Sequence, residues 1–169
     1  MKRIIILLLA LMPIVASAQE YIDKDESNEN GRLVVTKSTP IISDGKMYFM
    51  RFVYSLFEEN EIYYTTIVCC DEEYRWNVSP HTTGVFRMAT GKNIYLKTLI
   101  DSESKLLPDG EYMIFTSYII PTEKVYDMLD ALKTISIKTS SHFFDIKIDF
   151  ESASTLMKSY LDLLVTTGR

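Results

Sequence analysis

Residues 46–56 read KMYFMRFVYSL, and this stretch decides the fold. In an extended chain successive side chains point to opposite faces. Tyr48, Met50, Phe52, Tyr54 and Leu56 therefore share one face, and Met47, Phe49 and Val53 lie on the other. A half-solvated strand alternates apolar with polar residues, so a strand apolar on both sides reads as central and covered on both faces. Residues 111–120 behave the same way. C-terminal helices can cover one face of such a sheet; the other calls for a second sheet, a partner chain or a ligand. The expected cover is a sandwich-like second layer built from the N-terminal strands.

Working outward, Ser43-Asp44-Gly45 is a turn before this strand, and Glu58-Glu59-Asn60 is a turn after it. Residues 61–70 form the next long strand, and so short a connection makes the pair an antiparallel hairpin. Residues 33–37, 85–88, 93–100 and 111–120 are further strands, punctuated by Thr90-Gly91 and Pro108-Asp109-Gly110. In the last third, Val125, Met128, Leu129 and Leu132 fall at i, i+3, i+4 and i+7, which predicts a helix over 122–133. Ile135 and Ile137 alternate with Thr134, Ser136 and Lys138, and Phe144, Ile146, Ile148 and Phe150 alternate with Asp145, Lys147 and Asp149. That pattern predicts a half-solvated hairpin turning at Ser140-Ser141-His142. A final helix is expected over about 152–165, with Gly168 beyond its end. The expected class is α+β: seven to eight mostly antiparallel strands, with two C-terminal helices flanking a β-hairpin.

The N-terminus carries a different signal. Lys2 and Arg3 precede an apolar run from Ile4 to Met12, and Ala16-Ser17-Ala18 supplies small residues before Gln19. This is the pattern of a secretory signal peptide cleaved after Ala18, and the run is too short for a membrane anchor, which needs roughly 20 residues. Residues 1–18 are thus read as a signal peptide, 19–32 as a flexible acidic arm, and 33–169 as one globular domain. No later run is long enough to span a membrane. The expected location is secreted or periplasmic. The net charge of −5 offers no basic footprint for nucleic acid.

The sequence carries little catalytic chemistry. Its two histidines, His81 and His142, have no histidine or cysteine at metal-ligand spacing, and no nucleophile elbow, zinc-protease motif or phosphate loop occurs. No cofactor and no metal are expected. Glu58, Glu59 and Glu61, with Asp71, Glu72 and Glu73, formally permit a carboxylate pair, but such runs also make solvated turns. Cys69 and Cys70, as neighbours on a strand, point to opposite faces and are not expected to bond to each other. An outward thiol leaves a cross-linked homodimer open.

The segment 71–84 is fourteen residues long, against a usual connection of about four to six. It collects Tyr74, Arg75, Trp76, Asn77 and His81, residue types that dominate binding surfaces. Tyr74, Trp76 and Val78 also alternate, which fits a short edge strand plugging the core. The favoured function is a non-enzymatic secreted or periplasmic module binding a protein or a glycan. An exported inhibitor or immunity-type protein is the narrower alternative, and a carboxylate-based hydrolase is the third. The export reading has a direct check. Intact mass of protein recovered from the periplasm or medium should correspond to a chain beginning at Gln19; a mass retaining residues 1–18 contradicts it.

Overall fold

The computed structural model describes residues 20–29, 31–71, 78–79, 81–100, 102–108, 110–139 and 143–169. Strands dominate them. β1 (Ile22–Asn28), β2 (Gly31–Thr36), β3 (Thr39–Ser43), β4 (Lys46–Phe57) and β5 (Asn60–Asp71) follow one another along the chain. After them come β6 (Thr83–Met88), β7 (Asn93–Lys97), β8 (Glu103–Leu106), β9 (Tyr112–Ile120), β10 (Leu132–Lys138) and β11 (Phe143–Lys147). Among the described residues one α-helix, α1 (Phe150–Thr167), follows them.

The strands form two sheets. The larger has seven strands, ordered β1-β2-β4-β5-β9-β8 with β3 also on β4, and the smaller has four, ordered β11-β10-β6-β7. Every pairing is antiparallel. β2 and β3 lie end to end along the same side of β4. The Thr36 hydroxyl fills the junction between them by accepting the Phe52 N–H at 2.9 Å. Asp44 and Gly45 both take positive φ, 50° and 78°, the mark of the two-residue type I′ turn that matches strand twist. The β4–β5 turn has the same form with Glu58 and Glu59 in its two positions, at φ 46° and 68°.

Register assigns the faces of the large sheet. Tyr48, Met50, Phe52 and Tyr54 pair with Cys69, Ile67, Thr65 and Tyr63, which pair in turn with Ile114, Thr116, Tyr118 and Ile120. All twelve are buried. Helix α1 lies over the β2–β3–β4 side of this inner face, with the Tyr160 ring 4.7 Å from Phe52. The small sheet covers the rest through Phe86, Ile94, Leu96, Ile135, Ile137 and Ile146, each at most 1% exposed.

Two seams join the sheets. On one side Thr98 leaves β7 to bridge Tyr118, and Leu99 donates to the Ser117 carbonyl at 2.8 Å. There Tyr118 lies against Gly84: a Cβ on Gly84 would stand 2.6 Å from the ring. On the other side the Lys147 N–H donates to the Ser43 hydroxyl at 2.9 Å. The helix is anchored at both ends. The Asp149 carboxylate caps it by accepting the Ser152 N–H at 2.8 Å, and Gly168 ends it in the left-handed region. Near its C-terminus Arg32 donates to both oxygens of Asp25 (2.9 and 2.8 Å) and to the Thr166 carbonyl (3.0 Å).

The α+β expectation of seven to eight strands with two flanking helices is corrected. The described residues hold eleven strands and one α-helix. Over 122–133 the chain forms two short 3-10 turns, Thr122–Lys124 and Tyr126–Leu129. Leu132 belongs to β10, where it pairs with Met88. The remaining stretch is too short for a cooperative α-helix. The apolar spacing still marked burial, since Val125 and Met128 are 0% and 4% exposed. The acidic stretch read as an arm contains β1, whose side chains are mostly exposed. The N-terminal strands do not stack as a second layer; they extend the large sheet sideways.

The Gly84–Tyr118 contact predicts a coupled pair. Gly84→Ala should cost about 1–3 kcal/mol by overpacking. In a Tyr118→Ala background, where the ring is gone, the same change should cost under about 0.5 kcal/mol. Denaturant unfolding of the four proteins measures this; additive costs would show that the ring does not set the requirement for glycine.

Candidate functional site

The two sheets present contrasting outward faces. On the small sheet, register places Arg87, Asn93, Thr134, Ser136, Asp145 and Lys147 outward together with Val85, Tyr95 and Phe143, so that exposed aromatic rings stand singly among polar and charged groups. Ser136 donates to Asp145, and Arg87 stands 4.0 Å from the same carboxylate.

The large sheet is different. Its inner set fixes the outward positions as Met47, Phe49, Arg51, Val53, Ser55 and Phe57 on β4, opposite Val68, Thr66, Tyr64 and Ile62 on β5. Beyond them stand Met113, Phe115, Ser117 and Ile119 on β9 and Leu33 and Val35 on β2. No described strand or helix packs on this face; the helix and the small sheet both lie on the other one. Met47, Phe57 and Ile62 are 50%, 55% and 39% exposed. Phe49, Tyr64, Val68, Met113, Phe115 and Ile119 are half-buried, and Val53 and Thr66 at the centre are buried. Apolar side chains thus predominate on this face, on either side of the polar row Arg51, Thr66 and Ser117, whose last two hydroxyls are hydrogen-bonded at 3.1 Å.

The face has relief. At its β1–β2 side an open groove of about 300 Å³ runs between Leu33, Ser55 and Phe57, with Glu26 and Asn28 at its end. Gly31 sits at the bottom, where a Cβ would stand 1.9 Å from the Leu56 carbonyl oxygen. Any side chain there would force β1–β2 away from β4 and change the groove. Near the centre, Arg51 lies opposite Thr66 and diagonal to Tyr64. Burial pushes the Tyr64 phenol above its ordinary value, and the Arg51 charge pulls it partly back.

Tyr74, Arg75, Trp76 and Asn77, the sequence candidates for binding, lie outside the described residues, as do His142 and residues 1–18. Of that group only His81 is placed. It is exposed, at φ 60°, in the connection leading into β6. The end of that connection is pinned: Val78 is fully buried, its N–H donating to the Ser102 hydroxyl at 3.0 Å and its carbonyl accepting the Ser102 N–H at 2.9 Å. Cys69 is buried on the inner face.

Of the carboxylates that could form a hydrolytic pair, Glu72 and Glu73 lie outside the described residues. Glu58 and Glu59 occupy a turn, and Glu61 is bound by Arg169. Among the described residues no group of three or more His, Cys, Asp or Glu side chains is arranged to hold a metal, and no helix is long and apolar enough to cross a membrane.

No family model matches the chain, and no curated protein matches it. Among solved structures, a crystal structure of the human pre-T cell receptor aligns at 11% identity and a TM-score of 0.24, covering 69% of this chain and 93% of that one. A likeness of that size leaves the functional reading to the chain's own geometry.

Proposed function

We propose that this chain is an exported, non-enzymatic binding module that docks a partner protein on the outward face of its large sheet. The observation that supports this is the proportion of apolar side chains on the two outward faces: they predominate across β4, β5 and β9 of the large sheet, and are scattered among charged and polar residues on the small one. The N-terminal sequence supports export, and the segment 74–77 remains a candidate for additional contacts. A protein surface fits better than a glycan. Met47, Phe49, Val53, Phe57, Met113 and Phe115 outnumber the hydrogen-bonding side chains of this face, and Thr66 and Ser117 among the latter already bond to each other. An inhibitor or immunity-type role is the narrower form of the same reading.

A face reserved for a partner can be made polar without unfolding the protein. The double variant Phe49→Ser/Phe115→Ser should retain stability to within about 1.5 kcal/mol in urea unfolding, well below the roughly 3–5 kcal/mol that truncating one core phenylalanine costs. A loss of core size would mean that the face is packed in the free protein, and would end this reading.

A further inference from the structure

Resting on that docking face, we propose that its occupant is a different protein whose apolar contact surface carries one carboxylate, and that this carboxylate pairs with Arg51. Arg51 is the single formally charged side chain that register places outward on β4, β5 and β9. It sits midway along β4, one of the two central strands of the sheet. Its Nε is buried without a hydrogen-bond partner, and no ion pair engages it among the described residues. Other arginines are engaged: Arg32 holds Asp25, and Arg169 holds Glu61. Arg51 is half-buried, and a guanidinium whose Nε is buried without an acceptor has donor capacity left for an incoming one. A partner carboxylate supplies that acceptor and an opposite charge in one bidentate contact.

Charge complementarity also selects among occupants. In a face-to-face dimer of this chain, a two-fold axis through the centre brings Arg51 close to its own copy, with no acid on either central face to separate them. A membrane surface rich in anionic lipid is opposed by the overall charge of −5, and the rim offers it no net positive charge, since Lys24 and Lys105 stand beside Glu26 and Glu103. A protein that presents a lone Asp or Glu within an apolar patch meets neither objection.

The test uses the full chain and two fluorescent probes of the same shape: 1-anilinonaphthalene-8-sulfonate, which carries an anion, and its uncharged counterpart N-phenyl-1-naphthylamine. The wild type should bind the sulfonate about tenfold more tightly, the scale of a charge-assisted contact. Arg51→Lys should keep most of that preference. Arg51→Met should erase it while leaving affinity for the uncharged probe within about twofold, and Phe115→Ser should weaken both probes. Equal wild-type affinities, or a preference that survives Arg51→Met, overturn the carboxylate assignment and leave the docking face standing. Failure of both probes to bind overturns the face itself, and this inference with it. Arg51-dependent binding to phosphatidylglycerol vesicles would replace the protein partner by a membrane. Sedimentation showing self-association that Phe115→Ser abolishes would replace it by a second copy. Either result overturns the proposal.

Discussion

Alternation along a strand sends neighbouring side chains to opposite sides, so a strand apolar at nearly every position needs two covers. β4 imposes that requirement here. Its even-numbered residues meet the helix and the small sheet. Its odd-numbered residues, Met47, Phe49 and Val53 among them, face a side on which no described element lies. The chain devotes its second sheet and its helix to one face of the first. The contact of Tyr118 with Gly84 and the Lys147–Ser43 hydrogen bond fasten that arrangement at both edges. The functional reading follows from the face left over.

The edges of the large sheet show how the molecule keeps exposed backbone from pairing indiscriminately. β1 carries Asp23, Lys24, Asp25 and Glu26, with Lys24 and Glu26 paired at 3.0 Å. β8 is four residues long, exposed throughout, and includes Glu103 and Lys105. Short or charged edges discourage strand addition. The docking proposed above accordingly uses the flat of the sheet rather than its rim.

Much of this was legible in the sequence because periodicity reports burial directly. The hairpin of β10 and β11 is one case: Ile135, Ile137 and Ile146 are fully buried while Lys138, Asp145 and Lys147 are exposed. The double-sided character of β4 is another, and the Asp44-Gly45 turn is a third. What periodicity could not decide was which element an apolar spacing belongs to. An i, i+3, i+4 pattern fits a 3-10 turn as well as an α-helix over two turns, and pairing of Leu132 with Met88 settled 122–133 against the helix. Nor could it say where the N-terminal strands go. Stacking over β4 and pairing beside it satisfy the same local pattern, and β2 and β3 chose the edge. The clearest binding signal in the sequence is residues 71–84, where aromatic and arginine residues cluster in a long connection. The second face of β4 was legible as one needing a cover, and periodicity alone assigns it to a layer of N-terminal strands that in fact lie beside β4.

The central claim is that the outward face of the large sheet meets solvent when the protein is alone. Methionine oxidation by dilute hydrogen peroxide, followed residue by residue by peptide mass, tests it most directly, because Met47 and Met50 share one strand and point to opposite faces. Met47, 50% exposed, and half-buried Met113 should oxidise readily in the folded protein. Met50 and Met88, 0% and 1% exposed, should stay protected until it unfolds. Protection of Met47 and Met113 equal to that of Met50 would contradict the account.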